Sequence, residues 1–366
     1  MAEQQRTKSN QEDKKKSEAK DKTRKRDNKT NQENKQEENK QNEAESYHKT
    51  QHEKGREPKL IVSGYIACVG RPNVGKSTLI NRLVGAKISA VSPKPQTTRR
   101  AIIGIKTIKD DKKGELTQMA FIDTPGLHKP RNELGAEMVR NAIESLKMAN
   151  IIYHLIDSSE GIQGEDIDVA ENLKSFMKEE KIKVPIFCIL TKIDLIRKEN
   201  LLPIMDELGK WELYTEIIPV SALKGTGIDD LINTTKKYLP ETQEILFPYE
   251  MVYGQPLRII IQEIIMEKIY NYLHMEIPYS VAVEVEDIDE RENGVLYIKA
   301  TIYVERQNQK KIVIGKDGSK IKQIGTLARE EIEFITGRKV YLDLWVRVKE
   351  DWRKNVYFVK KIYFSE

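Results

Sequence analysis

Cysteine is almost absent from this chain: Cys68 and Cys188 are the only two in 366 residues. Both fall inside apolar, strand-like runs, which suits small packed hydrophobes better than a redox or metal pair and fits a reducing, cytosolic compartment. No run of eighteen or more apolar residues occurs, so no membrane-spanning segment is expected. Charge of one sign is also scarce. The 62 Lys and Arg against 57 Asp and Glu leave a net +5, too small an excess to identify a partner before its location is known. Hydrophobic residues reach only 39%, and the shortage is concentrated at one end. From Met1 to about Pro58 the chain is almost entirely Lys, Glu, Asn, Gln, Asp, Arg, Ser and Thr, with Tyr47 its only aromatic residue. Such a segment buries too little apolar surface to offset the entropy of ordering, so residues 1–58 read as a disordered charged extension. It mixes both charge signs and has no apolar stretch, unlike an acid-poor transit peptide or a secretory signal. Its lysines allow a weak, peripheral attraction to RNA or a membrane surface, which its acidic residues largely cancel.

About three hundred residues remain, ample for two cores. Between Leu60 and Tyr238, β-like and helix-like segments alternate, with strands expected over 101–106, 116–123, 150–157, 184–190 and 216–220 and helices over 135–147, 165–180 and 228–238. This alternation predicts a doubly wound α/β domain over residues 59–240, with ligands at the carboxyl ends of its strands. Leu239-Pro240 and Phe247-Pro248 mark a linker, 241–255. Beyond it a helix over 256–274, strands over 281–285 and 295–304 with a hairpin near 290–294, a helix over 319–336 and an alternating strand over 340–348 predict a small α+β domain, 256–366. There is no internal repeat.

Residues Gly70 to Ser77 read G-R-P-N-V-G-K-S, a full match to the phosphate-loop pattern G-x-x-x-x-G-K-[ST], with an apolar strand leading in and a helix leading out. Glycines there let successive backbone N–H groups wrap a phosphate chain, and the helix start adds positive potential. Gly70, Asn73, Val74, Gly75, Lys76, Ser77 and Thr78 are the candidate phosphate contacts, with Lys76 reaching the β- and γ-phosphates and Ser77 offering a hydroxyl to Mg²⁺.

Three further motifs follow successive strands. Asp123-Thr124-Pro125-Gly126 places a carboxylate near Mg²⁺ and the Gly126 N–H near the γ-phosphate. Thr191-Lys192-Ile193-Asp194 places a carboxylate able to accept from guanine N1 and N2, donors that adenine lacks; adenine would leave it unpaired in a nearly dry pocket. Ser221-Ala222-Leu223-Lys224 presents a backbone N–H to guanine O6. Each motif alone is weak, but their order behind a phosphate loop implies a guanine-nucleotide domain. Lys76 and Gly126 are the candidates for steadying the transferring phosphoryl group.

In the second domain, Gly315-Lys316-Asp317-Gly318 joins the apolar run Ile312-Val313-Ile314 to a helix, the arrangement of a KH G-x-x-G loop that clamps single-stranded nucleotides. Lys310, Lys311, Lys316, Lys320 and Lys322 cluster around it. Trp345, Trp352 and Tyr357 are candidates to stack on bases, Trp345 being equally suited to covering the outer face of its strand.

The phosphate loop, Pro95-Gln96-Thr97-Thr98-Arg99, the motifs at Asp123, Thr191 and Ser221, and the Gly315–Gly318 loop together resemble the Era GTPases over about residues 59–352. The resemblance implies that Thr98, with Thr97 the nearby alternative, joins Ser77 and Asp123 as a Mg²⁺ ligand and closes over the γ-phosphate. The family pattern usually has Asn where Thr191 stands, which implies a weaker tie between that loop and the phosphate loop. Many small GTPases orient water with a Gln just after D-x-x-G; here Leu127 stands there, which implies that intrinsic turnover is slow or depends on something outside this motif. Related GTPases with Asn at the position of Asn73 use it to hold a potassium ion beside the phosphates, the alternative being a residue that only shapes the loop. The implied function is GTP hydrolysis coupled to binding single-stranded small-subunit ribosomal RNA near its 3′ end. It would assist assembly of the pre-ribosomal small subunit in the cytoplasm, with at most peripheral contact at the inner face of the cell membrane. GTP would order the loops around Thr98 and Gly126 and so reposition the KH domain. The rival is an RNA-binding assembly chaperone in which hydrolysis is incidental. The tail, 356–366, departs from the family pattern.

Overall fold

A computed structural model describes residues 58–91, 94, 98–126, 132–274 and 276–364. The charged extension up to residue 57, Pro95, Gln96, Thr97 and Leu127 lie outside them. Residues from Pro58 onward form one compact unit built on two sheets.

In the first sheet, β1 (Leu60–Val69), β3 (Glu115–Asp123), β4 (Ile151–Asp157), β5 (Ile186–Thr191) and β6 (Glu216–Pro219) run parallel in the order β3-β1-β4-β5-β6. Antiparallel to β3 lies β2 (Ile102–Asp110), and β7 (Glu241–Thr242) pairs with Ile61 and Val62. Helices α1 (Lys76–Val84), α2 (Glu133–Met148), α3 (Gly164–Glu179), α4 (Lys198–Gly209) and α5 (Ile228–Tyr238) connect the strands. Alternate residues of β1 feed opposite cores: Ile66 and Cys68 pack with Leu79, Tyr153 and Phe187, whereas Ala67 and Val69 pack with Ile152 and Leu173. Burial on both faces explains why the central strands read as continuous apolar runs rather than alternating ones. It also explains both cysteines, which are buried and unpaired. Because the strands are parallel, Val69, Asp123 and Thr191 end at one edge of the sheet, where the nucleotide motifs meet.

The second sheet has three strands in the order β10 (Val340–Val348), β9 (Leu296–Val304), β8 (Ala282–Glu290); β8 and β9 are antiparallel, β9 and β10 parallel. Helices α6 (Leu257–Tyr272), α7 (Gln307–Ile314) and α8 (Ser319–Thr336) enclose a core of Ile261, Ile265, Ile298, Ile302, Ile324 and Ile332. The expected hairpin is present, with Gly294 at φ 75 in its turn, but its first strand runs on to Glu290. The apolar run Ile312-Val313-Ile314 is the last turn of α7.

Both halves are stitched together. The segment read as a linker lies along the edge of β2, with Ile105 N–H donating to Val252 O and Gly254 N–H to Ile103 O, each at 2.9 Å; this covers an otherwise open strand edge. A C-terminal helix, α9 (Val356–Tyr363), buries Phe358, Val359 and Ile362 with Leu134 and Met138 of α2.

Candidate functional site

The phosphate loop owes its path to residues that accept unusual backbone angles. Gly70 has φ 152, and a Cβ there would fall 2.6 Å from Leu155 O; Asn73 follows at φ 64 and Gly75 at φ 98. Helix α1 opens at Lys76 with no side-chain cap, so its first N–H groups are available to an anion. The Lys76 ammonium folds back over the loop, donating to Gly70 O at 2.9 Å and Arg71 O at 3.1 Å. Burial lowers its pKa, opposed by the Asp123 carboxylate. Val74 is fully buried, Asn73 exposed, and Thr78 half-buried behind Ser77.

One carboxylate gathers the candidate cation ligands. Ser77 Oγ donates to Asp123 Oδ2 at 2.7 Å, and Thr98 Oγ1 lies 3.3 Å from the same oxygen. Asp123 is fully buried; burial pushes its carboxyl up, opposed by Lys76 and the Ser77 hydroxyl. Its Oδ1 has no hydrogen-bond partner among the described residues. Two hydroxyls and a carboxylate form a hard oxygen set suited to Mg²⁺, which prefers to complete its shell with water and phosphate. Thr124 Oγ1 fastens the Asp123–Gly126 turn to Cys68 O at 2.6 Å, and Gly126 is half-buried at its end.

The base-side loops are cross-linked to this centre. Thr191 Oγ1 donates to Val74 O at 2.6 Å, with Ile156 O at 3.2 Å. A tie between that loop and the phosphate loop is thus present with Thr in place of Asn, made by the buried hydroxyl itself. Lys192 Nζ pairs with Asp157 at 2.6 Å. Against the effect of burial, Lys192 and Ser159 hold Asp157 below the usual carboxylate range. Asp194 Oδ1 accepts from Ser221 Oγ at 2.5 Å, and Lys224 N–H donates to Ser221 Oγ at 3.1 Å. Asp194 and Leu223 are exposed and Ala222 half-buried.

In the second half, Gly315 (φ 76), Asp317 (φ 51) and Gly318 (φ 75) turn the chain sharply between α7 and α8. A Cβ on Gly315 would meet the Lys320 backbone nitrogen at 2.9 Å. Lys311, Lys316, Lys320 and Lys322 are exposed, Lys310 half-buried. Beside the loop, a cavity of about 300 Å³ opens between α8 and β10, lined by Ile321, Lys322, Gly325, Arg329, Leu342 and Leu344. Trp352 cannot stack on a base: it is fully buried, and its Nε1–H donates to Ser280 O at 2.9 Å. Trp345 and Tyr357 are exposed.

Comparison with known proteins matches these two centres separately. Residues 65–192 match the family described as "50S ribosome-binding GTPase", and residues 276–353 match the KH domain. Era from Aquifex aeolicus, a variant bound to GDP·AlF4−, is 41% identical with TM-score 0.77, covering 83% of this chain and 100% of its own. An Era in complex with MgGDPNP and nucleotides 1506–1542 of 16S ribosomal RNA is 42% identical with TM-score 0.77, covering 84% of this chain and 100% of its own. The chain belongs to the Era family. Its described residues contain no helix long and apolar enough to cross a membrane.

Sequence reasoning missed two groups of contributors to this Era-family site. Arg71, an unspecified position of the phosphate loop, pairs with Glu160 at 2.6 Å and with buried Asp166 at 3.3 Å, pinning the loop to the start of α3. Arg99 and Arg100 are buried against the second half of the molecule; the sequence reading named Arg99 only as the end of the segment Pro95–Arg99 and assigned no role to either.

Proposed function

We propose that this protein is a Mg²⁺-dependent GTPase that binds single-stranded RNA near the 3′ end of the small-subunit ribosomal RNA and assists small-subunit assembly. The observation that carries the reading is the convergence of Ser77 and Thr98 on Asp123 beside the looped-back Lys76, in a chain that also presents exposed lysines around a KH loop.

GTP would replace the carbonyl partners of Lys76 with its β- and γ-phosphates, while the backbone N–H groups of Gly70–Thr78 surround the phosphate chain. Ser77, Thr98 and Asp123 would hold Mg²⁺, which when bound supplies positive charge to the phosphate oxygens. Gly126 N–H faces the γ-phosphate in this reading, and Lys76 stabilises charge as the terminal phosphoryl group transfers to water. Guanine is selected by Asp194, which Ser221 steadies through one oxygen, and by backbone N–H groups of Ala222 and Leu223. Adenine offers the carboxylate no matching donor. Leu127 has no group able to orient water; Asn73 would hold a potassium ion, which would supply positive charge beside the phosphates. Equal rates in sodium and potassium buffers, or unaltered stimulation in Asn73→Ala, would sink that part.

Lys311, Lys316, Asp317, Lys320 and Lys322, with Gly315 and Gly318 admitting the backbone, take the RNA along the groove beside α8. The relative held with 16S ribosomal RNA favours the small subunit over the large one. An RNA chaperone with incidental hydrolysis is not favoured beside relatives holding GDP·AlF4− and MgGDPNP. The reading places the protein in the cytoplasm and needs no membrane attachment. A competition assay tests it: GTP and GDP should displace a fluorescent guanine nucleotide and ATP should not, and displacement by ATP at similar concentration would overturn the assignment.

A further inference from the structure

Residues 98–101 lie between the two centres. Thr98 reaches toward Asp123, whereas Arg99 and Arg100, only 4% and 5% exposed, enter the second half of the molecule. The Arg99 guanidinium donates to Val281 O at 2.5 Å, Tyr363 Oη at 2.8 Å, Pro278 O at 3.1 Å and Tyr279 O at 3.3 Å. The rings of Tyr270, Trp352 and Tyr363 surround it, with centroids 5.8, 5.9 and 5.8 Å away. Trp352 takes the remaining carbonyl of this turn, Ser280 O. Every carbonyl from Pro278 to Val281 is thus matched to a side-chain donor from elsewhere in the chain, and without those donors the carbonyls of the buried residues Pro278, Ser280 and Val281 would lose these partners. Arg100 donates to Ile362 O and lies 5.6 Å from the Tyr363 ring. On the other flank, Ala101 N–H donates to Asn141 Oδ1 at 2.7 Å.

Much of this socket comes from the C-terminal segment. Trp352 is the penultimate residue of the KH match, and α9, which supplies Ile362 and Tyr363, lies beyond it. Helix α9 is itself wedged against α2 through Phe358, Val359 and Ile362.

We propose that Arg99 and Arg100 are positioning residues for GTP hydrolysis, holding Thr98 at its Mg²⁺-facing place by seating in a socket made of the Pro278–Val281 turn and helix α9. This rests on the nucleotide reading above and adds that a helix remote from the phosphate loop is part of the hydrolytic device. Thr98 and Arg99 are adjacent, about 3.8 Å between Cα atoms, so a shift of the socket is passed directly to the Thr98 hydroxyl. Misplacement by about 1 Å can cost about 100-fold in rate. The phosphate loop has its own supports in Arg71 and Thr191, so nucleotide affinity and turnover should separate.

The test compares the full chain with Arg99→Ala, Arg99→Lys, Tyr363→Phe and a chain lacking residues 356–366. Measured quantities are GDP affinity, kcat for GTP and the Mg²⁺ concentration giving half-maximal rate. Arg99→Ala should keep GDP affinity within about threefold while kcat falls about tenfold or more and half-saturating Mg²⁺ rises. Tyr363→Phe, which removes one hydrogen bond and keeps the ring, should lower kcat by about two- to fivefold with parent-like melting. Arg99→Lys should recover part of the alanine loss, and the truncated chain should resemble Arg99→Ala. Unchanged kcat and Mg²⁺ dependence in Arg99→Ala and Tyr363→Phe would overturn the proposal, as would GDP affinity falling in step with kcat, the mark of general destabilisation. A parent chain that binds no guanine nucleotide overturns the functional reading itself, a result distinguishable from either.

Discussion

The hydroxyl of Thr191 offers the sharpest single-atom perturbation. The residue is only 3% exposed, and its one hydroxyl proton goes to Val74 O, the shorter of two contacts at 2.6 and 3.2 Å. Thr191→Val replaces that hydroxyl by a methyl group of similar size, so packing is kept and the bond alone is removed. An acceptor left buried without its donor costs about 1–2 kcal/mol. Because the tie lies within the protein itself, its removal should appear as a fall in thermal midpoint, about 2–4 °C per kcal/mol for a domain near this size. The same tie keeps the guanine loop in register with the phosphate loop. If all of its energy bears on binding, GDP affinity falls about 5- to 30-fold, and less if the loops reorder on the nucleotide. Thr191→Ser keeps the hydroxyl and should bind like the parent, and Thr191→Asn should restore the tie through its carboxamide. Calorimetric melting together with competition against a fluorescent GDP analogue measures both quantities. A Val variant with parent-like melting and GDP affinity would refute the role given to this hydroxyl.

Asp194→Asn should weaken GDP binding by about 100-fold or more without creating ATP affinity, since a carboxamide cannot accept from both guanine donors; nucleotide competition measures it, and retained GDP affinity counts against the assignment. Glu263 lies buried with Arg100, Arg99, Asp123 and Glu267 around it, and burial pushes its carboxyl up to about 7 against the pull of the two arginines. A raised folded pKa contributes stability fully present below the unfolded value of 4.5 and lost as pH rises through about 7. Glu263→Gln should therefore gain on the parent by up to about 3 kcal/mol between pH 5 and 8.5, and parallel pH-melting curves for the two would contradict this. Lys316→Ala with Lys320→Ala should weaken binding to a single-stranded RNA oligonucleotide and lower its log-log salt slope by about 1 for each phosphate no longer neutralised; an unchanged slope would place the RNA elsewhere.

Legibility from sequence followed the range of each interaction. The phosphate loop was readable because its glycines, lysine and serine act within eight consecutive positions, Gly70 to Ser77. The order of Asp123, Thr191 and Ser221 was readable because parallel strands must end at one edge. Pairings that depend on tertiary packing were not: Arg71 meets Asp166 across 95 positions, and Arg99 meets Tyr363 across 264. Helix α4 was obscured by Pro203 within it, and α7 by an eight-residue span that is mostly polar. Strand β8 extended past its apolar start because Asp287 to Glu290 continue the ladder beyond a register shift with an exposed, acidic face. Trp352 was misread for a similar reason: aromatic residues near basic ones suggest base stacking, and only packing reveals that Trp352 roofs the Arg99 socket.

The account joins a guanine-nucleotide centre to a single-strand RNA centre in one chain, and titrating the full-length protein with an oligonucleotide of the 3′ end of small-subunit ribosomal RNA tests this most directly. With Mg²⁺ and a non-hydrolysable GTP analogue, binding should be salt-dependent, stronger than to a duplex of the same sequence, and weaker when GDP replaces the analogue. No binding at moderate salt, or equal affinity with GDP, the GTP analogue and ATP, would contradict it.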